Sequence, residues 1–102
     1  MIRNNFWKEY LNSLSFDQSL KNTANQLHKM VENFQDVSWG RNANDGLSIA
    51  AAKNKESEKY VLLILSRNGS SWAEFRNKNN CEKVLVVTCF KTLKKQIEEY
   101  IS

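Results

Sequence analysis

The stretch that decides the fold spans residues 60–76 and reads YVLLILSRNGSSWAEFR. Its first six residues are a continuous apolar and aromatic run that includes the β-branched Val61 and Ile64, and such a run predicts a strand buried on both faces. The dipeptide Asn68-Gly69 follows, and between two strand-like runs it is the strongest short-range signal for a hairpin. Because a tight turn fixes how the flanking strands pair, this stretch predicts an antiparallel sheet of defined register.

The second strand of that hairpin, residues 72–76, alternates between two kinds of side chain. Successive side chains of a strand point to opposite faces, so Ala73 and Phe75 are expected to face the core. The opposite face then carries one large aromatic ring and both signs of charge, a poor composition for a core and a good one for recognition. Its side chains are Trp72, Glu74 and Arg76.

Weaker strand signals lie on both sides of the hairpin. Residues 83–89 form a second apolar run and are predicted to be another strand buried on both faces, after a polar turn at residues 77–80. Residues 47–53, which follow the turn signal Asn44-Asp45-Gly46, are a further candidate, although their three alanines have weak strand propensity. An alternating segment at residues 37–39 predicts a short first strand or a loop. We therefore expect a sheet of three to five strands.

Helical periodicity marks the two ends of the chain. Residues 5–14 and 16–33 space their apolar side chains by three and four, which predicts two amphipathic helices. Ser15 and Gln18 match a capping box at the start of the second helix. Residues 92–101 predict a short terminal helix. The 102 residues are thus expected to form one α+β domain, with two N-terminal helices, an antiparallel sheet and one C-terminal helix.

Composition limits the partners and the location that we expect. The chain has a net charge of +4 with its cations dispersed, which gives only weak support for a nucleic-acid partner. No apolar run is long enough to cross a bilayer and no signal peptide is evident, so we expect a cytoplasmic protein with no membrane partner. The two cysteines agree with a reducing compartment. We expect Cys89 to be buried and Cys81 to lie in a loop.

No motif in the sequence specifies a reaction. The single histidine, His28, has Glu32 one turn later and is expected to be an exposed residue in a weak helix pair. The Glu74-x-Arg76 pair has the spacing seen in metal-dependent nucleases, but a further aspartate would have to hold the ion, and only Asp45 is a candidate. Phosphate-binding loops and nucleophile motifs are absent from the sequence. We therefore expect no enzymatic activity, no metal site and no cofactor.

Recognition is the better-supported role for the exposed aromatic and charged side chains. Tryptophan with arginine on an exposed strand is a common hot-spot composition, although a sheet covered on both faces would show the same residues. The predicted binding surface centres on the hairpin, and the segment around the second strand-borne tryptophan is the second choice. The candidate partner-binding residues are Arg67, Trp72, Glu74, Arg76 and Lys78, together with Trp39, Arg41 and Asp45.

A small domain of this character is expected to act by binding another protein. Immunity proteins that block a toxin, antitoxins and inhibitors of host defence share this size and composition, so we expect an immunity-type or anti-defence inhibitor. Its positive charge argues against a strongly basic target, because like charges slow association. The alternative is a nucleic-acid-binding domain that uses Trp72, Arg76, Lys78 and Lys83 on one sheet face. A homodimer that pairs an exposed edge strand is a third hypothesis.

Overall fold

The computed structural model combines helices with one sheet, and it describes the backbone of residues 2–102 and the side chains of residues 6–102. In chain order the elements are α1 (Ile2–Ser13), α2 (Gln18–Val31), β1 (Asp36–Arg41), β2 (Leu47–Ala52), β3 (Lys59–Leu65), β4 (Ser71–Asn77), β5 (Asn80–Val86) and α3 (Phe90–Ile101). This is the α+β arrangement predicted from the sequence, with two helices before the sheet and one after it.

The five strands form one antiparallel sheet in the order β1-β2-β3-β4-β5, so every strand pairs with its sequence neighbours. Short loops suffice for such a meander, because each antiparallel strand begins at the end of the sheet where the preceding strand stops. The alternating segment at residues 37–39 lies within β1, and the alanine-rich segment forms β2 between two other strands. Pairing on both sides therefore outweighs the weak intrinsic strand propensity of alanine.

The helices pack against one face of the sheet, here called the covered face. Within it, α2 contacts β2 and β3, and α3 contacts β3 and β4. The helix stripes meet alternate residues of the strands in one apolar cluster that includes Leu63, Ala73 and Phe75. Ala73 and Phe75 thus face the core as predicted. Full burial of an aliphatic or aromatic side chain contributes about 1.5–3 kcal/mol, so this cluster is the main source of stability.

The prediction that residues 83–89 form a strand buried on both faces is wrong. They contribute to β5, an edge strand with one neighbour, on which Val84 and Val86 are 59% and 66% exposed. The same prediction for residues 60–65 is better met, because Leu63 is fully buried on the covered face and Ile64 is only 8% exposed on the other. A continuous apolar run in the sequence is compatible with either a central strand or an edge strand, and only the order of the strands in the sheet shows which one it forms.

The second helix begins later than predicted. Its N-cap is Asp17, whose side chain accepts a hydrogen bond of 2.9 Å from the backbone N–H of Leu20. Gln18 does not reach back to Ser15 but donates from Nε2 to Asn22 Oδ1. Asp and Ser are both strong N-caps, and the carboxylate also interacts favourably with the positive end of the helix dipole.

Neither cysteine occupies the predicted environment. Cys89 is exposed rather than buried, because it is the N-cap residue of α3, which begins at Phe90. Hydrogen bonds from Thr92 and from the backbone of Lys91 lower the pKa of the Cys89 thiol. Cys81 is also exposed and lies in β5 rather than in a loop.

Candidate functional site

The face of the sheet opposite the helices, here called the open face, is the candidate site. Strand register brings the side chains of β3, β4 and β5 on this face into two cross-strand rows, Leu62–Glu74–Val84 and Ile64–Trp72–Val86. Tyr60 lies opposite Arg76 at one end. The β1 and β2 part of the face carries small side chains such as Ser38 and Ala50.

A polar network orders the centre of the open face. The indole Nε1 of Trp72 donates to Glu74 Oε2 at 3.2 Å, and Arg76 Nη1 donates to Glu74 Oε1 at 2.8 Å. Arg76 Nε also donates to the hydroxyl of Tyr60 at 2.9 Å, and its Nη2 donates to the carbonyl oxygen of Asn79 at 3.4 Å. The hydrogen bonds to Tyr60 and then to Glu74 raise the pKa of Arg76, which keeps the guanidinium charged. The network holds the side chains of Trp72 and Tyr60 in place.

Apolar groups flank this network on the side of β5. Trp72 is half-buried between Ile64 and Val86, and Val84 completes the exposed apolar patch. A shallow groove of about 490 Å³ lies beside Trp72, and its other lining residues are Gly69, Ser70, Ser71, Val84, Val86 and Val87. An aromatic ring next to exposed aliphatic groups, with charges already paired, is the composition of a protein interface core.

Charge on the open face differs from charge on the whole chain. Its strand residues include the acids Asp36 and Glu74 and the single cation Arg76, although the chain has a net charge of +4. Lys83 lies in register with Phe75, which faces the core, and its ammonium group is 2.6 Å from Gln96 Oε1 of α3. The predicted grouping of Lys83 with Trp72 and Arg76 on one face is therefore wrong.

Of the predicted partner-binding residues, the structure brings Trp72, Glu74 and Arg76 together. Lys78 lies in the adjacent turn between β4 and β5, with a positive φ of 55°, and its ammonium group is 3.4 Å from Glu58 Oε1. Both side chains of that ion pair are exposed, so it contributes at most about 1 kcal/mol. Lys78 is thus placed at the rim of the open face.

The basic residues Arg67 and Arg41 lie on the other side of the sheet. Each donates to a backbone carbonyl at the junction of α1 and α2: Arg67 to Ser15 at 3.0 Å and Arg41 to Ser13 at 3.5 Å. Both arginines tie hairpin ends to the helices instead of extending the open face. Asp45 has a φ of 58° in the turn between β1 and β2, where a residue with a short polar side chain tolerates the left-handed conformation.

Trp39 also belongs to the covered face. Its ring lies 5.5 Å from the ring of Trp7, 6.2 Å from Tyr10 and 5.8 Å from His28. The four rings form an aromatic cluster between α1, α2 and β1. The structure therefore separates Trp39 and Trp72, which lie on opposite faces of the sheet.

The expectation of an exposed His28 is wrong. The residue is only 5% exposed, and its ring stacks on Trp7 with a centroid distance of 4.3 Å and an interplanar angle of 5°. Its Nδ1 is 3.9 Å from Glu32 Oε2, as the predicted helix pair requires. A buried histidine in an aromatic stack is a packing residue, so we now expect His28→Ala to lower stability.

The sequence alone did not identify the members of the open face that come from β3 and β5. Leu62, Ile64, Val84 and Val86 lie in continuous apolar runs, in which the alternation between faces cannot be seen. The hairpin signal alone does not find them, because a two-residue loop on Asn68-Gly69 would set Trp72 opposite Leu65 instead of Ile64. Trp72 pairs with Ile64, and Glu74 pairs with Leu62.

Comparisons with protein families, with curated proteins and with solved structures found no match for this chain. None of the helices in residues 2–102 has both the length and the apolar character needed to cross a membrane. Within the same residues, no three side chains of His, Cys, Asp or Glu converge in a way that could hold a metal ion.

Proposed function

We propose that this chain is a protein-binding domain whose open face docks on a partner protein and blocks it, as an immunity protein blocks a toxin or as an anti-defence inhibitor blocks a host component. The observation that carries the proposal is the arrangement of Trp72 between exposed aliphatic groups and an ordered charged pair on the uncovered face of the sheet. The class of the target, a toxin or a component of a host defence, is also part of the proposal.

The chemistry of the open face fits a protein surface. Trp72 offers a large ring whose polar atom is already bonded to Glu74, so docking need not leave an unpaired N–H behind. Val84 and Val86 supply aliphatic area at its side, and their exposure leaves this area available for burial. Truncation of a central interface tryptophan commonly costs about 2 kcal/mol or more of binding free energy.

A nucleic-acid partner is less well supported. Binding to a phosphate backbone needs several unpaired cations along one surface. The only cation that the strands place on the open face is Arg76, which is paired with Glu74, and Lys83 lies on the covered face. Trp72 could still stack on a base, so the experiment below includes a test for nucleic acid.

The proposal is tested by capture from the native cell with Trp72→Ala and a matched control. Phe6→Ala is that control, because Phe6 is an exposed aromatic residue, 55% accessible, on α1. We expect the wild-type chain and Phe6→Ala to retain the same partner after nuclease treatment, and Trp72→Ala to bind it at least about tenfold more weakly.

Stability must be measured on the same samples. We expect Trp72→Ala to keep a cooperative unfolding transition, because its side chain is half-buried outside the main core. Equal affinity of Trp72→Ala and the wild-type chain for the captured protein would refute the open face as the binding surface. Loss of the partner on nuclease treatment, with a steep salt dependence of binding, would favour nucleic acid instead.

A further inference from the structure

A cavity of about 420 Å³ lies between α2 and α3, on the helix side of the sheet. Its lining residues belong to the end of α2 and the segment after it, to the position directly after β2, and to two turns of α3. Met30, Phe34 and Ile101 form the apolar part of the lining, and all three pack in or against the core. Sites for small molecules are concave, mostly apolar and about 300–1,000 Å³ in volume, so this cavity has the size of such a site.

Lysines from three separate elements also line the cavity. Lys29 lies on α2, Lys53 directly after β2, and Lys94 on α3. All three are exposed, and no carboxylate of residues 6–102 forms an ion pair with any of them. Glu98 is the one acidic residue of the lining, so the lining has a net charge of +2. The cavity therefore combines apolar side chains with cations that have no acidic partner in the described part of the chain.

Helix stabilisation explains only one of the three lysines. Lys29 is in the last turn of α2, where a cation interacts favourably with the negative end of the helix dipole. Lys53 follows a strand, and Lys94 lies in the first half of α3, so neither is in the last turn of a helix. Lys94 and Glu98 have the spacing of a helix pair, yet they form no ion pair. The stability of the helices therefore does not account for two of the three cations at the cavity.

We propose that the cavity binds a small anionic amphiphile, a molecule with one carboxylate or phosphate group and an aliphatic or aromatic body. The three lysines donate hydrogen bonds to the anionic group, and charge-assisted bonds of this kind are about twice as strong as neutral ones. The apolar part of the lining, in which the flexible Met30 adapts to irregular shapes, contacts the body of the ligand. A cationic ligand of the same shape is disfavoured, because it would meet a lining of like charge.

This site does not depend on the proposed function, since Trp72 and its groove lie on the open face. The test is titration of the wild-type chain with decanoate, decyl phosphate, decyltrimethylammonium and butyrate, followed by the backbone amide resonances. The first three probes share an aliphatic chain and differ in the charged group, whereas butyrate keeps the carboxylate and has a shorter chain. All concentrations stay below those at which the probes form micelles.

Two double variants separate the cavity from the general positive charge of the chain. The lining variant, Lys53→Gln with Lys94→Gln, removes two of the three lysines of the cavity. The control variant, Lys55→Gln with Lys95→Gln, removes two exposed lysines from the same loop and the same helix that do not line it. Both variants lower the net charge equally, and glutamine and lysine have similar helix propensities, so both should fold as the wild-type chain does. Thermal unfolding followed by circular dichroism checks this.

We expect decanoate, decyl phosphate or both to bind saturably, with the largest shifts at residues 29–34, 53 and 94–102, and at least about tenfold more tightly than the other two probes. The tighter of the two anionic probes identifies the charged group. The lining variant should bind that probe at least about tenfold more weakly than the wild-type chain, and the control variant within about twofold of it. Binding of neither anionic probe, equal binding of decyltrimethylammonium or butyrate, or equal weakening in both variants would overturn the proposal.

Discussion

The covered face and the open face belong to the same five strands, yet they solve different physical problems. On the covered face, aliphatic and aromatic side chains such as Leu63 and Phe75 are almost completely removed from water by the helices. On the open face, Trp72 and Arg76 remain half-buried and bond to one another through Glu74. Strand alternation thus gives one sheet a surface for stability and a separate, uncovered surface, which is the one proposed for recognition.

The comparison also explains where the cations lie. Arg41 and Lys83 are on the covered side, where their long side chains reach backbone carbonyls or polar groups of the helices. The aliphatic stems of Lys and Arg can lie on apolar surface while their charged ends remain in water. The open face is consequently much less basic than the net charge of the chain indicates, and the proposal of a protein partner rests in part on this difference.

The largest expected effect comes from placing a charge on each face in turn. Leu63→Asp should destabilise the fold by about 4 kcal/mol or more and leave little folded protein, because the carboxylate would be buried without a partner. Val86→Asp, on the open face, should cost about 1 kcal/mol or less, since residue 86 is largely exposed. Chemical denaturation followed by circular dichroism measures both.

Similar losses of unfolding free energy in these two variants would contradict the assignment of one face to the core and the other to the solvent. A folded Leu63→Asp protein would place residue 63 outside the core. An unfolded Val86→Asp protein would mean that β5 is covered, as the sequence alone predicted.

A smaller effect is expected at the start of α2, a helix that packs only on the covered face. Asp17→Ala removes the side chain that caps Leu20 N–H and should lower the free energy of unfolding by about 1 kcal/mol. Ser15→Ala is the matched control and should change it by less than about 0.5 kcal/mol. Thermal unfolding of both variants measures the difference, and a larger loss for Ser15→Ala would restore the capping box predicted from the sequence.

The smallest effect should appear only at alkaline pH, at Tyr100 on the covered side. Burial, and then the neighbouring Glu82, raises the pKa of Tyr100 from 10.0 to about 12. Because the folded state favours the neutral phenol, this contribution to stability is fully present below pH 10 and is lost as pH rises from 10 toward 12.

The Tyr100→Phe variant cannot ionise at this position, so its stability should fall less steeply over that range than that of the wild-type chain. Denaturant unfolding at a series of alkaline pH values, with tyrosinate absorbance followed in parallel, measures both the slope and the titration. Equal slopes for the two proteins would show that burial does not raise the pKa of Tyr100.

Local patterns in the sequence were sufficient for the types of the elements other than β1, which they left open as a strand or a loop, and for the two faces of one strand of the candidate site. The alternation of residues 72–76 correctly placed Phe75 and Trp72 on opposite faces of the sheet. It could do so because successive side chains of a strand point to opposite faces, whatever the rest of the chain does. Helical stripes likewise predicted all three helices, since the spacing of three and four residues follows from the helical turn.

The hairpin turn shows where local patterns stop. Ser66 N–H donates to Ser70 C=O, and Gly69 N–H donates to Ser66 C=O, so three residues form the loop and Gly69 takes a φ of 95°. A two-residue loop built on Asn68-Gly69 would shift the pairing by one residue. The observed loop sets Trp72 opposite Ile64, and this pairing assembles the apolar row of the open face.

What a strand buries depends on its neighbours, and neighbours are set by the assembly of the whole chain. The apolar runs at residues 60–65 and 83–89 are alike in sequence, but β3 has a strand on each side and β5 has one. The same reasoning covers His28 and Cys89, whose burial was predicted in reverse: Trp7 covers the first, and the start of α3 leaves the second in solvent. Local chemistry therefore decided which side chains share a face, whereas long-range packing decided which faces water can reach.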